Sequence, residues 1–202
     1  MNFSKSAKLF CPLVLLCAAA NASAIFNFDG DAPGTSTTFT DTVNGISATF
    51  FSSADPGGFT VYPSMFETLN GNVLGDPGPA FMDNLTLGVD FSQDLAAITL
   101  DFATSDFITP SPLTITAYEN GALVGSATST GQFLPGFDFP EGEITFAGGF
   151  FNQLVISSTA TDFAVDNLNV IAALEPGTFA LLGASLLLSG IPAIRRRNAA
   201  RA

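Results

Sequence analysis

Apolar residues recur at every second position through most of this chain, a period that admits little besides β-strands. Ile46, Ala48 and Phe50 alternate in one run, and Leu85, Leu87, Val89 and Phe91 in another. Ile98, Leu100 and Phe102 form a third, and Leu113, Ile115 and Ala117 a fourth. Ile144 with Phe146, Leu154 with Ile156, and Phe163 with Val165 continue the pattern. Successive strand side chains point to opposite faces, so this spacing buries one face and leaves the other outside. Enrichment in Thr, Val, Ile and Phe agrees. Asn120-Gly121, between LTITAYE and ALVGSAT, is the signal of a two-residue type I′ hairpin. Asp55 to Gly58 and Gly75 to Pro79 are Gly/Pro clusters that mark loops. No helical period of useful length precedes residue 178. The expected fold class is therefore all-β: residues 25–172 as an antiparallel β-sandwich of jelly-roll type, with an Ig-like sandwich as the alternative. Those 148 residues suffice for one core, and the chain's 21 Phe make that core aromatic.

Charge narrows the function. All six basic residues lie at the ends: Lys5, Lys8, Arg195, Arg196, Arg197 and Arg201. Between Ile25 and Ala172 there is no Lys, Arg or His, and 17 of the 18 acidic residues fall there, a formal charge of −17. Such a surface repels phosphate backbones, so nucleic acid is not an expected partner. Ion pairs within the domain are impossible, and self-repulsion must be relieved by spacing, salt or bound cations. Cys11 and Cys17 precede the domain, so it has no disulfide and no thiol chemistry.

The two ends read as targeting segments. Residues 1–24 have the form of a signal peptide: Lys5 and Lys8, an apolar stretch from Leu9 to Ala20, and an Ala22-Ser23-Ala24 cleavage site. At the other end, residues 173–202 carry Glu175-Pro176-Gly177, then an apolar run of 17 residues from Thr178 to Ile194, then Arg195, Arg196 and Arg197. Seventeen is the short limit for a spanning helix. The arginines would hold their end in the cytoplasm and leave the β domain outside. A helix at each end thus flanks the sandwich in this reading.

An acidic-Pro motif, a hydrophobic helix and a terminal Arg cluster, paired with a signal peptide, resemble the PEP-CTERM protein-sorting signal. Glu175 and Pro176 match the second half of the family's Pro-Glu-Pro motif, and Leu174 stands in place of the first Pro. The resemblance implies recognition by an exosortase, a membrane protease-transpeptidase of bacteria that make exopolysaccharide. It also implies transient residence in the inner membrane, then release to the cell surface or medium. LTITAYENGALVGSAT followed by VISSTATDFAVDNLNV is similar to the last half of jelly-roll domains in carbohydrate-binding modules, where the final strand carries an Asp-Asn pair like Asp166-Asn167.

Catalysis lacks most of its usual groups. Without His, Lys, Arg or Cys, triads, Schiff bases and thiol nucleophiles are excluded from the domain. A carboxylate pair could still hydrolyse glycosides, but no spacing selects one. Cation binding has a better motive. Asp29 and Asp31, read as the start of the first strand, and Asp166 with Asn167 on the last, could converge as oxygen ligands for one Ca²⁺. Aromatic platforms for sugar are fewer: Trp is absent, and Tyr62 and Tyr118 are the two tyrosines. The sequence thus points to an exported, non-enzymatic surface or matrix protein associated with exopolysaccharide. The alternative is a Ca²⁺-dependent carbohydrate-binding module. Mature protein from the native host is expected to begin at Ile25 and to lack the helix after Thr178. N-terminal sequencing and intact mass check this, and an extracellular mass that includes Arg201 would refute removal of the tail.

Overall fold

One strand organises the domain. In the computed structural model, which describes residues 22–52, 58–76 and 85–173, β6 (Thr86–Thr104) runs for 19 residues. Strands usually stop near 5–6 residues. Its two halves are the Leu85–Phe91 and Ile98–Phe102 runs that the sequence presents separately. The first half pairs with β3 (Ile46–Ser52) and β11 (Phe151–Ser158). The second pairs with β10 (Pro140–Phe146) and β12 (Phe163–Ala172). Exposed Ser92, Gln93 and Asp94 mark the crossing, where the β11 register also shifts between Phe151 and Gln153. One chain segment therefore belongs to both layers of an antiparallel sandwich.

Sheet one has the order β2 (Phe39–Val43), β3, first half of β6, β11, β7 (Pro112–Glu119), β8 (Ala122–Thr130). Sheet two has β9 (Gln132–Phe133), β10, second half of β6, β12. The far edge of β12 is shared by β1 (Ser23–Phe26) at one end and β5 (Asn72–Gly75) at the other, with β4 (Thr60–Pro63) beyond β5. All pairings are antiparallel, and the described residues contain no helix. Asn120 and Gly121 take φ of 50° and 81°, as the type I′ reading requires. Asn44-Gly45 does the same between β2 and β3, with φ of 52° and 81°. Gly75, expected in a loop, instead ends β5.

The alternating residues meet between the sheets. Phe26 of sheet two packs its ring edge-on to Phe50 of sheet one, with centroids 6.1 Å apart, and Phe39 stacks on Phe50 at 5.1 Å. Phe28 joins them at 5.3 Å from Phe50 with a left-handed backbone, φ 55°. That conformation costs a bulky residue roughly 1–2 kcal/mol. Burial of a phenylalanine ring, about 1.5–3 kcal/mol, offsets it.

A second, smaller apolar cluster lies on the outside of sheet two. Leu69 and Val73 pack there on Ala103 and Ala164, flanked by Tyr62 and Phe66. This places residues 64–71, which connect β4 to β5, across the outer sheet surface. Carboxylates fasten that segment. Glu141, 4% exposed, accepts from the backbone N–H of Glu67 at 2.9 Å and of Thr68 at 2.6 Å, and from the Thr68 hydroxyl at 2.6 Å. Asp166 accepts from Asn70 N at 3.2 Å, and Asp29 from Asn72 N at 2.9 Å. Glu141→Ala would strand two backbone donors at a desolvated site. A loss of about 3 kcal/mol is expected, with faster hydrogen exchange at Glu67 and Thr68. Protection unchanged there would show that packing of Leu69 alone holds the segment.

Candidate functional site

Where the segment over sheet two leaves β4, at Met65 and Phe66, a recess of about 260 Å³ opens. Its base is Ala103 and Ala164, small residues on neighbouring strands. Phe66 and Phe139 wall one side. Their rings meet edge-on at 5.7 Å, and Phe107, 69% exposed, extends the aromatic row at 5.4 Å from Phe139. Opposite stand the polar groups: Tyr62 from β4, Asp76 after β5, and Asp162 before β12. Gly75 makes room for the phenol, because a methyl at that position would lie 2.8 Å from Tyr62 Oη and 2.9 Å from Ala164 Cβ.

The carboxyl groups of Asp76 and Asp162 lie side by side, within reach of a hydrogen bond when one of them carries a proton. Burial, then the charge of Asp76 and this hydrogen bond, push Asp162 up to about 6. Burial and the same two carboxylates push Tyr62 well above the usual phenol value, so it remains an O–H donor. The recess therefore offers aromatic faces, hydroxyl donors and carboxyl oxygens, with no basic group.

The residues singled out for calcium are distributed differently from the expectation. β1 ends at Phe26, so Asp29 and Asp31 lie beyond it, in a turn closed by Asp31 N donating to Phe28 O at 3.0 Å. They do not share a strand face, because strand alternation stops before them. Asp29 turns to Asn72 and to Asn27 Nδ2, which donates at 3.1 Å. Burial, then the charge of Asp41, raises the pKa of Asp31. Asp166 does lie on β12 near Asp29, with Asn167 donating through Nδ2 to Asp101 at 3.0 Å. Asp166 is fully buried, and its oxygens accept from the N–H groups of Asn167 and Asn70. Among the described residues no three His, Cys, Asp or Glu gather to hold a metal.

Of the processing residues, Ala24 is buried within β1, and Ala22 O accepts from Ala172 N at 2.8 Å. Glu175, Pro176, Gly177, Arg195, Arg196 and Arg197 lie outside the described residues, as does most of the proposed signal peptide. The recess residues carried no pattern in the sequence. Asp76 and Asp162 are 86 positions apart, and only the adjacency of β5 to β12 joins them.

No family model matches this sequence, and no curated protein does. Solved structures are similar in shape. The K2 cleaved adhesin domain of Lys-gingipain is 13% identical, over 75% of this chain and 99% of that one, with a TM-score of 0.48. The C-terminal family 6 carbohydrate-binding module of a Zobellia galactanivorans laminarinase is 6% identical, over 74% and 99%, with a TM-score of 0.38. A family 11 carbohydrate-binding module of a Clostridium thermocellum cellulosomal cellulase is 13% identical, over 78% and 98%, with a TM-score of 0.39. The likeness is one of strand arrangement.

Titration of the buried acids should be visible in stability. Asp166 is pushed up to about 7, by burial first, against the lowering effect of its two backbone donors, with Asp29 and Asp101 adding to the rise. The ordinary aspartate value is 3.8, so between that value and 7 the folded state binds more protons than the unfolded one. The resulting stabilisation is complete below the unfolded value. It is lost as pH rises through about 6 for Asp162 and about 7 for Asp166. The melting midpoint by circular dichroism is expected to fall from pH 5 to pH 8 at constant ionic strength, and less steeply in Asp162→Asn. A midpoint that rises over that interval would contradict the assignment.

Proposed function

We propose that this chain is an exported, non-catalytic protein whose β domain binds neutral polysaccharide in the recess beside β4, β5 and β12. The observation that carries this reading is the pairing of aromatic walls, Phe66 and Phe139, with hydroxyl and carboxyl groups in a domain without a single base. Sugar rings present apolar C–H faces to aromatic rings and hydroxyls to oxygen acceptors. Anionic glycans would meet a formal charge of −17 with no counter-charge. The PEP-CTERM-like tail, with Glu175, Pro176, Gly177 and Arg195 to Arg197, supports delivery to the cell surface by an exosortase-like enzyme, where exopolysaccharide is the ligand at hand.

Isothermal titration with neutral gluco- and xylo-oligosaccharides is expected to show binding, whereas alginate oligomers give none. Phe139→Ala should weaken binding about tenfold, or ~1.4 kcal/mol. Chelator should leave it unchanged. Binding of alginate in preference to every neutral sugar would overturn the reading.

A further inference from the structure

The outward surfaces of the two sheets differ in charge. On sheet two the register sets Glu143 beside Asp101 and Asp101 beside Asp166, three acids in one row, and residues 64–71 lie over that sheet. On sheet one, three of the outward rows cross from strand to strand as follows. The first runs Thr40, Thr49, Asp90, Gln153, Tyr118, Leu123. The second runs Phe51, Gly88, Val155, Thr116, Ser126. The third runs Thr86, Ser157, Thr114, Thr128. Asp90 is the one carboxylate in these rows, within a domain that carries 17 acids.

Two aromatic side chains stand among these rows. Phe51 folds down across the sheet: a methyl on Gly88 would meet its Cε2 and Cζ at 2.3 Å and its Cε1 at 2.8 Å. A ring laid on a glycine in this way turns its other side outward, and Phe51 is half-buried. Tyr118 lies three strands away and one row over. At strand spacings of about 4.8 Å and about 3.4 Å per residue, the two are ~16 Å apart, the span of a short oligosaccharide. Between them Gln153 is fixed, donating to Asp90 Oδ1 at 3.1 Å and accepting from Gly121 N at 3.1 Å.

We infer that the outward face of sheet one is a second binding surface, for an extended neutral polysaccharide running across the strands from Phe51 to Tyr118. Hydroxyls and a held amide between two rings match a polyol. The aliphatic centre that a protein interface needs is missing, since Val155 is the one aliphatic side chain between the rings. A second copy would bring its own charge of −17 against this one. The ligand class is shared with the recess, but the residues are not. Two faces on opposite sides of a sandwich make the domain bivalent, able to join separate glycan strands.

Affinity electrophoresis of the exported protein through gels containing laminarin, xyloglucan or galactomannan tests this. Tyr118→Ala and Phe51→Leu, the latter keeping Gly88 covered, are each expected to weaken retardation severalfold while the melting curve stays that of the wild type. Phe139→Ala should remove a separate share, and the triple variant should run as it does in plain gel. If Phe51→Leu/Tyr118→Ala is retarded like the wild type and Phe139→Ala is not retarded, the sheet surface is refuted and the recess stands. If Phe139→Ala is unchanged and the sheet variant is not retarded, the recess reading fails and the sheet surface stands. A wild type retarded by none of the three refutes both.

Discussion

Every carboxylate in this domain has to be accommodated without a basic side chain, and much of the tertiary structure follows from that. A buried acid without a cation must take hydrogen bonds from the backbone or keep a proton. Both occur. Glu141, Asp166 and Asp29 gather the N–H groups of Glu67, Thr68, Asn70 and Asn72 and so fasten a connecting segment onto sheet two. Asp106 does the same for Ser111, accepting from its N–H at 2.7 Å and its hydroxyl at 2.9 Å. Asp162 takes the other course: burial, then the charge and hydrogen bond of Asp76, push it up to about 6, so that it keeps its proton further up the pH scale than a free aspartate. The acids of sheet two are thus structural parts, while three outward rows across sheet one carry a single carboxylate, Asp90.

That asymmetry depends on β6. Because one strand serves both sheets, its outward positions fall on opposite surfaces: Asp90 and Gly88 on sheet one, Asp101 and Ala103 on sheet two. The neighbours added by pairing decide the character of each surface. β10 and β12 bring Glu143 and Asp166 to Asp101, and β3 and β11 bring Thr49 and Gln153 to Asp90. The recess forms where β12 and β5 run side by side and the covering segment begins, so its chemistry is a product of strand order as well as of composition.

Strand alternation, the Asn120-Gly121 hairpin and the aromatic core were legible in the sequence, because side-chain period and turn geometry are local. Asn44-Gly45 carried the same hairpin signal and could have been read. The extent of β1 was less legible: Phe28 and Asp29 continue an alternating look, but Phe28 leaves the strand with a left-handed backbone. Asp29 and Asp31 therefore share no strand face: the Asp29 carboxylate accepts from Asn72 N, and Asp31 meets Asn72 only through its backbone carbonyl. The continuity of β6 was equally hidden, since a strand that changes sheets shows two separate apolar runs with polar residues between. By itself, then, the sequence determined an all-β domain with no cation to pair its acids. Only the tertiary structure decided that Asp76 meets Asp162, that residues 64–71 cover one sheet, and that Phe51 and Tyr118 share the bare face of the other. Those encounters depend on which distant strands pair and in what register, a matter of packing that no local pattern encodes.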